Sequence, residues 1–581
     1  MILLATLNSQ YVHSNLAVRY LAGIPQTMGL PVRLFEFTVN DDRFQALRAI
    51  ADLEPALVGL SCYIWNIEPT LKLARDLKQI RPDCKILLGG PEVSFDADRI
   101  LAEAPWIDFI IRGEGEETFR EFLKLGPLES PETIPGLSWR DGDRIYSNPE
   151  RQPIQDFALV PSPYSDNMAL DGRILYYETS RGCPFRCAYC MSSLERTVRN
   201  FPLERVFAEL TQLAARGPGQ IKFVDRTFNS QPERAAAILR FLLTLPGNTN
   251  YHFEINGDLL TDELIDLLNA APAGKFQIEV GVQSTNPETL QAVGRHQNLE
   301  RLAENVQRLQ ANGTVHMHLD LIAGLPYDDL TRFGAAFNRV YQLKPDHFQL
   351  GFLKLLKGSP LSSQVITDPA YANYRCRMDP PYEFLTSPWL SFKEVSGLKT
   401  VERLLNRYYN SGAFPFSLSF IIHTGFDGDP FAFYTAFAEM AEAEGWAIRS
   451  TARIRHYYDL NQFVRQYGLS NQAEILDLIN FDFVLTNFWL DLPSDLRPGA
   501  APEQALRKYW LNQARELPFT GKPVLTASGG GKDGLRVECF EKDVLGLTGL
   551  SDVVRKGPAV IAFQRQSGRI LAQYLDGEGT E

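Results

Sequence analysis

Short apolar runs and helical patterns alternate over the first 125 residues. Met1–Leu7, Ala56–Cys62, Lys85–Leu88 and Phe109–Ile111 are apolar runs bounded by turn residues. Between them Asn15–Ala22 and Pro69–Ile80 carry apolar residues at helical spacing. Alternation of this kind predicts a doubly wound, Rossmann-like parallel sheet with helices on both faces. Ligands of such sheets bind at the carboxyl ends of the strands. Those are the positions of Ser61, of Gly89-Gly90-Pro91-Glu92 and of Gly113-Glu114-Gly115-Glu116.

Residues 126–168 lack periodicity and are rich in Pro, Ser and Asp, which predicts a linker with a hairpin around Leu137–Tyr146. Strand patterns resume at Ile174–Glu178, Ile221–Asp225, His252–Asn256, Phe276–Val282, His316–Ile322 and His347–Leu353. Helical stretches such as Leu203–Ala215, Pro232–Leu243 and Leu299–Asn312 separate them. Successive strand–helix units of this kind predict a partial (β/α)6 barrel of the TIM type. Residues 366–581 mix helical and short-strand patterns and are rich in aromatics, an α+β region that carries no motif. The expected domains are 1–130, a linker over 131–168, a barrel over 169–365 and a C-terminal domain over 366–581.

With 581 residues the chain exceeds a single core. Its 45% hydrophobic and 22% charged content is that of an ordinary globular protein. No apolar stretch is long enough to span a bilayer, and the N-terminus has no basic segment of the signal-peptide kind. A cytoplasmic location is the expectation. A net charge of -12 argues against a broad nucleic-acid surface.

Seven cysteines do not make a disulfide framework here. Cys62, Cys84, Cys376 and Cys539 are scattered and read as small core residues. The other three, Cys183, Cys187 and Cys190, share one loop after a predicted strand, in Arg181-Gly182-Cys183-Pro184-Phe185-Arg186-Cys187-Ala188-Tyr189-Cys190. Structural zinc closes its shell with four ligands, and no fourth Cys or His is near. Three thiolates can each take one iron of a cubane and leave the fourth iron open to chelate a substrate.

The C-x3-C-x2-C loop after the first barrel strand resembles the signature of the radical S-adenosylmethionine (SAM) superfamily. Cys183, Cys187 and Cys190 are thereby expected to hold a [4Fe-4S] cluster as metal ligands and catalytic groups. The open iron would bind SAM, whose cleavage yields a 5′-deoxyadenosyl radical. The resemblance places Tyr189 near the adenine. Phe223-Val224-Asp225-Arg226-Thr227-Phe228-Asn229 resembles an F-x-D-D-x-F stretch, with Arg226 in place of the second acid, and implies contact between Asp225 and the SAM amino group. Glu254 would meet ribose or methionine. Gln283 and Ser284 match a G-x-Q-S segment, Arg295 sits where an arginine meets the carboxylate, and Asp320 lies in the fifth-strand turn. Each of Glu254, Gln283 and Asp320 taken alone also fits a satisfied polar residue at a strand end.

Upstream, residues 1–125 resemble the cobalamin-binding domain that precedes the barrel in one large subfamily. The resemblance makes Ser61, Gly89, Gly90, Pro91, Glu92, Gly113, Glu114, Gly115 and Glu116 candidate cofactor contacts, Ser61 toward the dimethylbenzimidazole tail. The D-x-H-x-x-G motif is absent, so cobalamin bound base-off without a histidine ligand is expected, with His13 as a polar loop residue.

The implied function is a cobalamin-dependent radical SAM methyltransferase acting on an unactivated carbon of a small-molecule or lipid-like substrate. Flavodoxin or ferredoxin would donate electrons. A ring-forming or rearranging enzyme with the same cofactors is the first alternative. A non-catalytic cobalamin or iron–sulfur sensor is the second. Residues 366–581 resemble an uncharacterised C-terminal domain of one branch and would cap the substrate. Their aromatic runs, Arg407–Asn410 through Phe414–Phe416 and Arg455–Tyr458, read as core packing ahead of a pocket lining.

Overall fold

A computed structural model describes residues 1–125, 130–164, 172–447, 449, 452–496, 504–516, 519, 524–526, 533–551, 559–566 and 569–575. The end of the expected linker, 165–168, lies outside these residues. The chain divides into two compact units. One holds Met1–Phe333 and Leu350–Phe392; the other holds Gly334–Gln349 and Lys393–Glu581.

The first unit opens with a seven-stranded sheet of β1 (Ile2–Asn8), β2 (Val32–Thr38), β3 (Leu57–Ser61), β4 (Lys85–Gly89), β5 (Phe109–Ile111), β6 (Leu137–Asp141) and β7 (Arg144–Ser147), in the order β2-β1-β3-β4-β5-β6-β7. Strands β1 to β5 pair in parallel. Successive side chains of a strand point to opposite faces, and both faces are apolar. Leu3, Ala5, Leu7, Val58, Leu60, Ile86, Leu88 and Ile110 pack on one side. Leu4, Leu57, Leu87, Phe109 and Ile111 pack on the other. The hairpin expected in the linker is formed by β6 and β7. It extends the sheet, because β6 pairs antiparallel with β5.

The barrel strands are β8 (Leu175–Tyr177), β11 (Gln220–Phe223), β12 (Asn250–Ile255), β13 (Phe276–Gln283), β14 (His316–Ala323) and β15 (His347–Phe352). Between β8 and β11 lies a small antiparallel ribbon of β9 (Ser180–Arg181) and β10 (Arg199–Asn200). The order β15-β14-β13-β12-β11-β8 follows the chain, as successive right-handed strand–helix units require. Along β13, Phe276, Ile278, Val280 and Val282 are buried, while Gln277, Glu279, Gly281 and Gln283 alternate with them and stay partly open. The loop after β1 joins this sheet too. His13 forms a parallel bridge with Ile174, and its Nδ1 lies 2.8 Å from the Tyr176 hydroxyl. A further small ribbon, β16 (Arg375–Cys376) and β17 (Phe384–Thr386), belongs to the same unit.

The second unit carries the helices Phe392–Tyr408, Ser417–Gly425, Pro430–Ala443, Arg453–Tyr467 and Gln472–Thr486, the first of them starting one residue before it, then a four-stranded antiparallel sheet. That sheet has β18 (Leu525–Thr526), β19 (Gly534–Phe540), β20 (Ala559–Gln566) and β21 (Arg569–Tyr574) in the order β18-β21-β20-β19. Its aromatic runs form core: Tyr408, Phe414 and Tyr457 are buried, and Phe414 packs on both tyrosines. Among the described residues, no helix is long and apolar enough to cross a membrane.

Candidate active site

The carboxyl ends of the first sheet and the loops after β8 and β11 enclose one cavity of about 780 Å³. From the first sheet come Asn8, Ser61, Tyr63, Gly89, Gly90, Pro91, Gly113, Glu114, Gly115 and Glu116. From the barrel come Tyr176, Glu178, Arg181, Gly182, Met191, Val224 and Arg226. His13 lines the cavity as well. Gly90 holds φ +113°, and a Cβ there would stand 2.5 Å from the Cys62 carbonyl oxygen, so the strand-to-helix turn admits only glycine. Ser61 Oγ is 2.7 Å from Thr6 Oγ1, and Asn15 Nδ2 approaches both hydroxyls.

Glu92 departs from the sequence expectation. Its buried carboxylate does not line the cavity. It accepts from the Tyr382 hydroxyl at 2.6 Å and faces Lys357 Nζ at 3.5 Å, because the helix begun at Pro91 turns this side chain toward the segment after β15. Glu114 and Glu116 reach the cavity wall, but their charge is engaged by arginines of the cysteine loop. Arg181 NH2 meets Glu116 at 2.5 Å and Glu178 at 2.7 Å, and Arg199 NH2 meets Glu114 at 2.6 Å. Burial pushes Glu114 up, but the Arg199 hydrogen bond and the Arg181 charge bring it below the usual carboxylate range. Arg181 and Arg199 carry no sequence signal beyond their place beside the motif.

The cysteine loop is fixed at several points. The Cys183 amide donates to Glu195 O, the Ala188 amide to Val293 O, and the Leu361 amide to Ala188 O. Burial pushes the Cys183 thiol up, and Thr227 Oγ1 lies 3.7 Å from its sulfur. Arg295 NH1 lies 3.7 Å from Cys187 Sγ. The remaining Arg295 donors go to Gly281 O and Gln297 Oε1, which sets this guanidinium against the thiols of the loop. Tyr189 is in the same cluster, its phenol pushed up by burial. Among the described residues no three His, Cys, Asp or Glu side chains converge on a single-ion site. Thiolates that each take a different iron of a cluster do not need to.

Asp225 and Ser284 are engaged by partners within the protein. Asp225 is buried, and its carboxylate accepts from the Thr179 amide, Thr179 Oγ1 and Ser180 Oγ at 2.9, 2.7 and 2.6 Å. Those bonds tie down the approach to the cysteine loop. Ser284 is likewise buried and bonded to Asp328 and the Asn286 amide. By contrast Gln283 Oε1 and Asp320 Oδ1 are buried without a hydrogen-bond partner, as is Asn256 Oδ1 at the end of β12. Gln283 holds φ +68° at a β-bulge and folds its amide over Gly281. Burial, then Glu279 and Glu254, push Asp320 well up. Glu254 is pushed up by burial against the opposing charge of Arg226. Unpaired buried acceptors are costly, and these three, just past β12, at the end of β13 and within β14, suit a ligand rich in donors, such as an ammonium and ribose hydroxyls. Asn256 closes the predicted strand His252–Asn256, and only side-chain direction distinguishes it from Glu254.

Residues 2–123 match the B12 binding domain family and residues 177–339 the radical SAM superfamily. The chain carries a B12-binding domain followed by a radical SAM domain. Residues 371–544 match a family described as a protein of unknown function, DUF4080. A cobalamin-dependent radical SAM methyltransferase, TokK of Streptomyces tokunonensis, is 28% identical over 48% of this chain and 44% of its own length. The chain thus spans under half of that relative. An anaerobic magnesium-protoporphyrin IX monomethyl ester cyclase of Cereibacter sphaeroides is 22% identical over 84% of this chain and 80% of its own length. In fold, the B12-binding radical SAM protein resembles the radical SAM methyltransferase TsrM of Kitasatospora setae, solved with cobalamin and a [4Fe-4S] cluster. The TM-score is 0.56 at 18% identity, over 66% of this chain and 78% of that one.

Proposed function

We propose that this protein is a cobalamin-dependent radical SAM methyltransferase acting on an unactivated carbon. The observation that carries the reading is the shared cavity: Gly182 and Met191, which flank the cysteine motif, and Ser61 and Gly89–Pro91 of the first sheet line one space. Cys183, Cys187 and Cys190 would hold the cluster, the acceptors Asn256, Gln283 and Asp320 would take SAM, and the glycine-lined wall would seat cobalamin. Bound there, the three groups supply a carbon-centred radical and a transferable methyl group. The protein's own part is to hold the loop rigid, set the two walls at a fixed separation and keep water from the reacting carbon. The substrate is a small or lipid-like molecule, the electron donor a flavodoxin or ferredoxin, and the setting cytoplasmic.

The similarity to a magnesium-protoporphyrin ester cyclase favours a second reading, ring formation with the same cofactors. The test is an anaerobic assay of reconstituted full-length protein with reductant, SAM and candidate substrates. Methyl transfer predicts S-adenosylhomocysteine and 5′-deoxyadenosine together with a methylated product. Deoxyadenosine without a methylated product supports ring formation. A cluster spectrum untouched by SAM overturns both and leaves a sensor.

A further inference from the structure

We propose that Arg226 recognises an anionic oxyacid group, a carboxylate or a phosphate, on the substrate. The proposal rests on the placement of the cofactors given above. Arg226 stands at the carboxyl end of β11, is exposed into the cavity, and has no hydrogen bond or ion pair from its side chain among the described residues. The next residue, Thr227, touches the Cys183 sulfur.

The other charges on the cavity wall are already satisfied. Glu116 and Glu178 are paired with Arg181, and Glu114 and Glu195 with Arg199. Arg226 is therefore a cation lining an open cavity, with the charge of Glu254 nearby but no ion pair among the described residues, and its planar fork matches a carboxylate or phosphate in two-point contact. It also replaces an acid in the stretch that the sequence otherwise resembles, so the sign of this position is reversed in this chain.

The same chemistry is carried by the SAM carboxylate and the cobalamin phosphate. Arg226 is open to the cavity, whereas the acceptors suited to SAM are buried within or beside β12 to β14, and Arg295 is the guanidinium near them. This favours the substrate over SAM as the source, and the cobalamin content of the Arg226 variants separates the cobalamin phosphate.

The experiment uses the full chain, reconstituted anaerobically with iron, sulfide and hydroxocobalamin, and titrates citrate and pyrophosphate as probes by calorimetry. Cobalamin content and SAM affinity are measured on the same samples. The expected result is probe binding by wild type that weakens about tenfold in Arg226→Gln and by less in Arg226→Lys, which keeps the charge but not the fork, with cobalamin content and SAM affinity unchanged. Equal probe binding by wild type and Arg226→Gln, or none by wild type, overturns the proposal. So does a parallel loss of SAM or cobalamin binding in Arg226→Gln, which assigns the arginine to a cofactor. Failure of wild type itself to retain cobalamin or respond to SAM overturns the functional reading instead.

Discussion

Arg181, two residues before Cys183, meets Glu116 at 2.5 Å, although Glu116 lies on the helix after β5 and 65 residues earlier in the chain. With Glu178 on the same guanidinium, this pairing fastens the cysteine loop to the domain that matches the B12-binding family.

Replacing Arg181 by Leu leaves Glu116 and Glu178 buried without their cation. Loss of one partner of a buried pair costs about 3–5 kcal/mol, so the urea midpoint of the first unit falls. Adding Glu116→Gln and Glu178→Gln to Arg181→Leu restores much of it. An unchanged midpoint in the single variant would show that the pairs contribute nothing.

Cys183, Cys187 and Cys190 changed together to Ala should abolish iron binding at the loop while hydroxocobalamin is still retained, as read by iron assay and visible spectrum. Retained SAM cleavage in this variant would sink the cluster assignment.

Gly90→Ala places a methyl group against the Cys62 carbonyl at a φ that L residues avoid. Strain of about 1–3 kcal/mol follows, and because the turn forms the cavity wall, cobalamin affinity drops with it. Gly29→Ala shares a positive φ but meets nothing within 4 Å, so it loses some stability and keeps cobalamin. Equal affinity in both variants would remove Gly90 from the cofactor wall.

Asp482 gives the second unit a pH signature. Fully buried, it accepts from Ser417 through both amide and hydroxyl, and burial raises it to about 7. The folded value lies above the unfolded value of about 3.9. Stability from this proton is therefore full below pH ~4 and is lost as pH climbs to about 7, at roughly 1.4 kcal/mol per unit. Asp482→Asn removes that slope in denaturant titrations of the full chain, while Asp477, also raised to about 7, keeps its own. A slope identical to wild type would refute the assignment.

The strand–helix alternation was legible because both faces of the first sheet are apolar, so its central strands read as continuous runs. Strand β2 was not, since Arg33 and Glu36 interrupt Val32–Thr38 at the sheet edge. The cysteine loop was legible because its chemistry is local. What Glu92, Asp225 and Ser284 face was not legible, because each carboxylate or hydroxyl meets a distant partner: Tyr382, 290 residues away, Thr179, 46 away, and Asp328, 44 away. A pattern of residue types records the strand end but not the direction of its side chain.

The bridge between His13 and Ile174 has a consequence for how this protein can be cut. The Ile174 amide donates to Val12 O, Ser14 Oγ to Ile174 O, and Arg173 NH1 to His13 O, so the edge before β8 is capped by the amino-terminal loop. A barrel excised at residue 172 would expose unpaired backbone groups where this loop had been, a template for aggregation. The two family boundaries mark ancestry; they are not a seam along which a working fragment separates.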